Sequence, residues 1–259
     1  MTVLARHFLL LALTVSVSAA GCSAGRLSRS SSDSKHTDQN TPGIITAGRK
    51  TLAPVYAPLA EQIVSDFDLS KKDGIGIDLG SGSGTLILEL CKRTRLHWIN
   101  ADIDPHFFPN FYREADERGF GHRVSAIFAD AHSLPFRDNY ADIIVSRGSF
   151  HFWEDRTKAF GEIYRVLKPG AVAYIGRGFS RNLPVETAAK IRSKQGKKMN
   201  YDVDKTANEL SNIMKELGIK DYCTDRPKPS GSENVNYGIW VEFHKSEGDR
   251  GEKRNGRHR

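Results

Sequence analysis

The sequence predicts an α/β protein in which helices cover both faces of one doubly wound sheet. From about residue 51 onward, short runs rich in β-branched residues alternate with amphipathic stretches, which is typical of a parallel sheet with helical crossovers. A Gly-rich turn follows the first of these runs. An acidic residue ends the second run, and another follows the third. The chain has 259 residues, 39% of them hydrophobic, which is enough for one such domain with extensions at both ends. Its 23 glycines and 10 prolines follow no repeat period, which excludes collagen-like and solenoid folds.

Seven runs are predicted to be strands. They are Gly74–Leu79, Leu96–Ala101, Val124–Phe128, Asp142–Ser146, Ala171–Gly176, Asp221–Thr224 and Tyr237–His244. Helices are predicted at Tyr56–Phe67, Thr85–Lys92 and Asp204–Leu217, and apolar residues at helical spacing from Phe160 to Leu167 predict a further core-facing helix. We expect Pro169-Gly170 to end that helix and turn the chain into the fifth strand.

Pro109 falls within the helix expected after Asp104-Pro105. Proline lacks a backbone N–H, so it is expected to kink or delay that helix. The preceding residues, His106, Phe107 and Phe108, then form either an irregular aromatic lip or ordinary packing.

The first 21 residues are predicted to be a signal peptide. Arg6 precedes a mostly apolar run of 13 residues from Phe8 to Ala20, which is short for a membrane-spanning helix but suits the core of a signal peptide. The sequence Ala19-Ala20-Gly21-Cys22 resembles the lipobox of bacterial lipoproteins, in which Cys22 is lipidated and becomes the new N-terminus. We therefore expect an exported lipoprotein anchored to a membrane. The alternatives are an ordinary signal peptide, or an uncleaved amphipathic start on a cytoplasmic protein.

The rest of the chain divides by composition. Residues 22–50 are predicted to be a flexible tether, residues 51–246 the folded domain, and residues 247–259 a disordered basic tail. The formal net charge of +7 lies mostly at the two ends, since residues 51–246 carry 27 basic and 26 acidic side chains. This near-neutral centre argues against a broad nucleic-acid-binding surface.

The two remaining cysteines, Cys91 and Cys223, each lie in an apolar segment with no metal-ligating partner at a suitable spacing. We expect buried structural thiols, no disulfide framework and no metal site.

Three features at successive strand ends predict a ligand-binding crevice. The turn Asp78–Gly84 follows the first strand and opens a helix, where missing side chains let a ligand approach the backbone. Asp102 ends the second strand, 18 residues beyond Gly84, and its carboxylate can accept hydrogen bonds from both hydroxyls of a ribose. Asp130 follows the third strand. Ligands of open α/β sheets bind outside these carboxyl ends, so the three features point to one site.

These motifs resemble those of the class I S-adenosylmethionine-dependent methyltransferases, especially the small-molecule branch called type 11 or ubiquinone-biosynthesis-like. The resemblance covers roughly residues 50–245 and is sharpest at 74–178. The matching segments are Asp78–Gly84 with the pattern D-x-G-x-G-x-G, Ala101–Asp104, Asp130-Ala131, Leu134–Phe136 through Asp142–Ser146, and Arg165–Gly170. The resemblance implies a Rossmann-like fold with a mostly parallel seven-stranded sheet and an antiparallel last strand, and S-adenosylmethionine as cofactor. Ala171 stands where the family usually has a second Gly.

The resemblance also implies roles for individual residues. Gly80 and Gly82 would border the methionine part of the cofactor, and Asp78 would orient their loop. Asp102 would hold the ribose hydroxyls, Ile103 would pack on adenine, and Asp130 would accept from the adenine amino group. Ser81, Ala131 and Ser146 complete the predicted cofactor-binding set. Loop capping is the alternative role for Asp78 and Asp130.

The methyl acceptor is expected to face Ser146–Trp153, after the fourth strand. His151 is the candidate base because an unperturbed imidazole has a pKa near neutrality, and a packing or capping role near Glu154 is its alternative. Arg147 could bind an acidic acceptor or pair with a carboxylate. Tyr56 and Arg177 could also face this pocket, or lie in the core or at its rim.

The function predicted from these observations is methyl transfer to an unidentified small molecule. A nicotinamide-dependent dehydrogenase would need G-x-G-x-x-G, but Thr85 occupies the last position of that pattern. The other alternative is a membrane-tethered, non-catalytic binding module that retains the fold, because an exported enzyme would need its cofactor supplied from the cytosol.

Overall fold

A computed structural model of the chain describes residues 51–195 and 201–248. The predicted signal peptide, the tether, Cys22 and the tail beyond residue 248 lie outside the described residues. Within these ranges, no helix combines the length and the apolar character needed to cross a membrane.

The described residues form a seven-stranded sheet in the order β3-β2-β1-β4-β5-β7-β6. Its strands are β1 (Ile75–Leu79), β2 (His97–Asp102), β3 (Val124–Phe128), β4 (Ala141–Arg147), β5 (Leu167–Gly178), β6 (Tyr222–Asp225) and β7 (Gly238–His244). The first five pair in parallel, and β7 runs antiparallel to both of its neighbours. The predicted sheet, mostly parallel with an antiparallel last strand, is confirmed.

Six helices connect and cover these strands. They are α1 (Ala53–Asp66), α2 (Thr85–Cys91), α3 (Phe108–Glu117), α4 (Arg156–Val166), α5 (Val185–Gln195) and α6 (Val203–Glu216). Successive residues of a strand face opposite sides, so Ile143 packs in a core with α1, α2 and α3, whereas Ile144 packs in a core with α4 and α6. The sheet is therefore buried on both faces, as a doubly wound fold requires.

The boundary between α4 and β5 differs from the prediction. The helix ends at Val166, and Leu167 already pairs with Ala141, so Pro169-Gly170 lies inside the strand rather than before it. A residue before proline disfavours the helical conformation, so the chain becomes extended ahead of Pro169. The register shifts between Ala141 and Ile143, which accommodates the irregular start of β5.

Two other expectations have clear outcomes. Pro109 delays the helix as predicted, because a short 3₁₀ turn over Pro105–Phe107 precedes α3. Phe107 in that turn is buried, so it contributes packing. Cys91 is buried as expected, but the prediction for Cys223 is wrong: its side chain is exposed because β6 is the outer strand of the sheet.

Candidate active site

The candidate site lies at the carboxyl ends of β1, β2, β3 and β4. The strand order reverses between β1 and β4, since the chain passes from β1 through β2 to β3 and then returns to the other side of β1. Crevices of open α/β sheets form at such switch points. The sheet thus brings the glycine-rich loop together with the predicted acidic residues.

The glycine-rich loop, residues 80–84, is held by main-chain and side-chain groups of β2. Asp102 Oδ2 accepts from the Gly82 N–H at 2.7 Å, and Asn100 Nδ2 donates to the Gly82 carbonyl at 3.0 Å. The Gly80 N–H donates to the Ala101 carbonyl at 2.7 Å. Sequence reasoning missed Asn100, although a buried amide two residues before Asp102 in an apolar strand was a usable signal.

Gly80 and Gly82 have φ values of 69° and 54°, a left-handed conformation that favours glycine. A Cβ on Gly80 would lie 2.3 Å from the Cβ of Ser149, so the loop after β4 approaches this glycine closely. Both glycines therefore have a local structural requirement in addition to their predicted role at the cofactor.

Asp78 lies beneath the loop with 2% of its surface exposed. Its Oδ2 accepts a hydrogen bond of 2.7 Å from the hydroxyl of Ser81. Burial raises the pKa of Asp78 to about 7, because desolvation outweighs the hydrogen bond from Ser81 and the attraction of Arg147. The structure thus gives Asp78 the predicted loop-orienting contact through Ser81.

Asp102 is the most constrained acid of the crevice. Its two oxygens accept from different main-chain amides, Oδ2 from Gly82 and Oδ1 from Asp104 at 2.9 Å. Burial raises the pKa of Asp102 despite these hydrogen bonds. Each carboxylate oxygen has a further lone pair, so this fixed group keeps capacity to accept from ligand hydroxyls.

Two large apolar side chains are exposed beside Asp102. Ile103 follows β2 and is 56% exposed, and Phe128 ends β3 and is 57% exposed. Exposed apolar surface at a crevice is suited to a flat, apolar partner such as a nucleobase. Ile103 was predicted here; Phe128 was not, since a terminal strand residue has no distinctive sequence signal.

Asp130 lies on the same side of the site and is held by a histidine. Its Oδ1 accepts from the main chain of His132 at 2.9 Å and lies 2.6 Å from His132 Nδ1. The Asp155 N–H, at the start of α4, donates to His132 Nε2 at 3.2 Å. These contacts hold Asp130 in the capping role that was its alternative, while leaving its second oxygen for the predicted role. Its neighbour Ala131 is packed in the core.

The loop after β4 is tied to the end of β1 by two serines. Ser146 is fully buried, and its hydroxyl forms a short hydrogen bond with that of Ser149. The Ser149 hydroxyl also contacts the Leu79 carbonyl at 3.0 Å. The predicted residue Ser146 therefore acts on the site through Ser149, which sequence reasoning did not assign.

His151 lies in a short 3₁₀ turn of this loop, between two phenylalanines. Its ring centroid is 3.9 Å from that of Phe152, and its Nδ1 is buried without a hydrogen-bond partner in the described part of the chain. Burial, with the charges of Arg177 and Arg156, lowers the pKa of His151 to about 4. The imidazole is therefore neutral at physiological pH, but it is a weaker base than the unperturbed imidazole on which its predicted role rested. The capping contact near Glu154 is made by His132 instead.

Arg147 forms no ion pair with a carboxylate within the described ranges, so that one of its two predicted roles is not observed there. Its Nε donates to the Gly178 carbonyl at 3.2 Å, and its guanidinium carbon lies 5.2 Å from the centre of the Tyr56 ring. Arg177, on β5, lies over Tyr201 at 5.0 Å. The predicted residue Tyr56 therefore contacts Arg147, and the predicted residue Arg177 contributes its charge to the lowered pKa of His151.

The residues of the crevice fit S-adenosylmethionine. A nucleoside needs acceptors for its ribose hydroxyls, apolar contact for its base and an acceptor for the exocyclic amino group. Asp102 offers the acceptor for the ribose hydroxyls, and the base can pack on Ile103 and Phe128. Asp130 offers the acceptor for the amino group. Backbone without side chains at Gly80 and Gly82 leaves room for the amino-acid part of the cofactor.

A second concavity does not share these features. A groove of about 830 Å³ lies between the start of α4 and α6 and is lined by polar residues including Glu154, Lys205 and Glu209. It contains none of the glycine-rich loop or the three acids. The chemistry of the side chains therefore favours the crevice over this groove.

Comparisons with known proteins agree with this assignment. Residues 77–175 match the family described as "Methyltransferase domain". A solved structure from Methanococcus maripaludis, described as a candidate S-adenosyl-L-methionine-dependent methyltransferase, is 29% identical with a TM-score of 0.71. That similarity covers 85% of this chain and 98% of the other. The predicted methyltransferase fold is confirmed, and these matches support S-adenosylmethionine as its cofactor.

Curated relatives match over a shorter segment. The demethylmenaquinone methyltransferase of Thermus thermophilus is 37% identical over 106 residues, which is 40% of this chain and 47% of the relative. The mitochondrial arginine-hydroxylase of Homo sapiens is 31% identical over 113 residues, which is 44% of this chain and 31% of the relative. The matches thus span less than half the length of these relatives. One relative is named a methyltransferase and the other a hydroxylase, which are different reactions.

Proposed function

We propose that this chain, which carries a methyltransferase domain over residues 77–175, is an S-adenosylmethionine-dependent methyltransferase that acts on a small molecule by in-line displacement. One observation carries the proposal. The carboxylates of Asp78 and Asp102 hold the glycine-rich loop at the switch point of the sheet, and Asp130 follows β3, the strand next to β2. A scaffold without a ligand would gain nothing from Asp78 and Asp102, whose burial is unfavourable for both charges.

The cofactor supplies an activated methyl group, so the protein's task is to bind, orient and exclude water. Asp102 would fix the nucleoside, and the loop anchored by Asp102 and Asn100 would hold the amino-acid part. His151, whose Nδ1 has no hydrogen-bond partner within the described residues, would take a proton from an acidic acceptor, with its basicity reduced by the lowered pKa. This distribution places binding on β1 to β3 and proton transfer on the loop after β4.

The binding half of the proposal is tested by calorimetric titration of the full chain with S-adenosylmethionine and S-adenosylhomocysteine. We expect micromolar affinity, which corresponds to about −8 kcal/mol. Asp102→Asn keeps the shape of the side chain but removes its charge, and should weaken binding by at least about tenfold. Asp73→Asn is the matched control, because Asp73 pairs with Arg95 on the surface with its side chain 75% exposed.

The outcomes separate the two functional hypotheses. Unchanged affinity of the Asp102→Asn variant would remove the ribose assignment. Absence of binding by a cooperatively folded wild-type chain would contradict the methyltransferase proposal and favour the non-catalytic binding module. Retention of binding does not by itself establish turnover, so an acceptor screen with radiolabelled methyl groups follows a positive result.

We also propose that the protein is exported and anchored to a membrane through a lipid on Cys22. The support is the sequence alone, namely the apolar run from Phe8 to Ala20 and the lipobox-like Ala19–Cys22. Cys22→Ser should move the protein from the membrane to the soluble fraction of a bacterial host, and Cys223→Ser is the matched control. A Cys22→Ser variant that stays in the membrane fraction would contradict the lipid anchor.

A further inference from the structure

Three arginines from three different elements are connected through the end of β5, since Arg147 donates to the Gly178 carbonyl, next to Arg177, and Arg192 lies over Phe179. Arg147 ends β4, Arg177 lies in β5 and Arg192 lies in α5, and all three are half-buried. Burial lowers the pKa of Arg192 to about 10, and the charges of Arg147 and Arg177 contribute to that shift. The same repulsion acts between Arg147 and Arg177. We call these three residues the arginine cluster. Gathering like charges in a half-buried place is unfavourable unless an anion compensates them.

Two members of the cluster, Arg192 and Arg147, have hydrogen-bond donors that are incompletely used within the described residues. Arg192 donates from Nε to the Asn236 carbonyl at 2.7 Å and from Nη1 to Gln195 at 3.0 Å, but its Nη2 is buried without a partner in the described ranges. Arg147 makes one hydrogen bond there, from Nε to a carbonyl. Buried polar groups in folded proteins are nearly always satisfied, so an orphaned guanidinium nitrogen indicates a missing acceptor.

Other arginines of the molecule behave differently. Arg93, Arg165 and Arg181 each form an ion pair with a carboxylate at 2.5 to 2.9 Å. Within the described residues, neither Arg147 nor Arg192 has such a pair. The chain therefore neutralises arginines elsewhere but leaves positive charge at this end of the site.

Aromatic rings hold the guanidinium groups in place. Arg147 lies over Tyr56, Arg177 over Tyr201 and Arg192 over Phe179, with guanidinium carbons 5.2, 5.0 and 4.2 Å from the ring centres. Tyr201 is itself fixed, since its hydroxyl donates to the Arg177 carbonyl at 2.6 Å. Stacking on aromatic faces restrains these long side chains, so less entropy is lost when they bind an anion.

The cluster also borders the loop that carries the candidate base, since Arg147 is the last residue of β4 and the turn Phe150–Phe152 follows it. The charge of Arg177 acts on His151, the candidate base, and the charge of Arg147 acts on Asp78 beneath the glycine-rich loop. An anion held by the cluster would therefore be next to the place where the acceptor must receive the methyl group.

We propose that Arg147, Arg177 and Arg192 form an oxyanion-binding subsite, and that the methyl acceptor carries a carboxylate or phosphate group that binds there. The inference rests on the proposed methyltransferase function and specifies its substrate class. Guanidinium groups bind both oxyanions in a bidentate manner, so the shared chemistry is an anion with at least two acceptor oxygens. An uncharged acceptor, such as a quinone-type ring without an acidic substituent, would supply no anion for the unpartnered Nη2 of Arg192 or for the guanidinium of Arg147.

The test is calorimetric titration of the full chain saturated with S-adenosylhomocysteine. The probes are benzoate and phenyl phosphate, with benzamide and phenol as matched neutral compounds. We expect both anions, or one of them, to bind at least about tenfold more tightly than their neutral partners, and the better anion identifies the group. Arg147→Gln and Arg192→Gln should each weaken that binding by about tenfold. Arg113→Gln, which removes an exposed arginine paired with Glu117 on α3, should leave it unchanged.

A thermal unfolding scan separates binding from a purely structural role. Arg192→Gln removes the hydrogen bonds to Asn236 and Gln195, so the ligand-free melting temperature does not decide the question; the increment that benzoate or phenyl phosphate adds does. That increment should be lost in a cooperatively folded Arg192→Gln chain and kept in Arg113→Gln, whereas a purely structural arginine would leave it unchanged. Equal affinity for anions and neutral partners, or equal effects of Arg192→Gln and Arg113→Gln, would overturn the subsite. Because S-adenosylhomocysteine is titrated first, its failure to bind would contradict the proposed function instead, and the two failures are distinguishable.

Discussion

The buried carboxyl group of Asp78 lowers the stability of the folded chain near neutral pH, and it does so at the predicted ligand-binding site. Its carboxyl group is buried beneath the glycine-rich loop and has a pKa of about 7, compared with 3.8 for an unperturbed carboxyl. The folded state thus holds the proton more tightly than the unfolded state. The favourable contribution of protonated Asp78 is complete below about pH 4 and is lost as pH rises through 7. Residues with such shifts are concentrated at functional sites.

This shift predicts the behaviour of Asp78→Asn in the ligand-free chain. The amide cannot ionise, so the variant should be more stable than the wild type at pH 8, and the advantage should grow by about 3 kcal/mol between pH 5 and pH 8. Urea unfolding at the two pH values measures this difference. Asp73→Asn, at an exposed surface pair, should show no comparable change. A pH-independent stability difference for Asp78→Asn would contradict the raised pKa.

At the scale of elements, the glycine-rich loop is shaped by the loop after β4 as much as by its own sequence. Gly80 has a left-handed φ, and a Cβ there would meet Ser149 at 2.3 Å. Gly119 has a similar φ of 76° but open space around it. The two positions therefore separate the backbone requirement for glycine from the steric one.

Substitution by alanine at these two glycines gives a second prediction. Gly119→Ala should cost about 1 kcal/mol of unfolding free energy, because only the left-handed backbone is strained. Gly80→Ala should cost roughly 2–4 kcal/mol, since the contact with Ser149 adds overpacking. Combining Gly80→Ala with Ser149→Gly should recover part of that loss, and urea unfolding of the double-mutant cycle measures the coupling. Additive effects would show that Ser149 does not constrain the loop.

At the scale of the whole molecule, the sequence predicted the features that depend on local sequence pattern, namely the order of the elements and the motif residues of the crevice. Strand periodicity and turn residues predicted the order of the elements, and Val124–Phe128 has the predicted bounds. The motif residues Asp78, Asp102 and Asp130 reach one crevice because parallel strands end at one edge. The exposure of Cys223 could not be predicted, because an apolar run does not reveal that its strand is the outermost one.

Features built from distant segments escaped prediction for the same physical reason. Helix α5 was not predicted because its sequence, Val185–Gln195, is mostly polar and its apolar face is narrow, with Ala188 and Ile191 buried. The role of Arg192 on this helix was therefore not predicted, because it depends on tertiary contacts with Asn236 and Phe179. The acceptor end of the site depends on tertiary contacts, whereas the cofactor end is encoded in contiguous motifs.

The division of the site between two groups of elements leads to a prediction about the stability of the whole domain. Ligand that binds only the folded state adds RT ln(1 + [L]/Kd), which is about 2.7 kcal/mol at one hundred times Kd. For a domain of this size we expect saturating S-adenosylhomocysteine to raise the melting temperature by about 5–10 °C. Benzoate or phenyl phosphate should add a further increment in its presence, because the arginine cluster and the Asp102 crevice bind different groups. The Asp102→Asn variant should lose the first increment and Arg192→Gln the second. Loss of both increments in either variant would show instead that the two ends of the crevice form a single cooperative site.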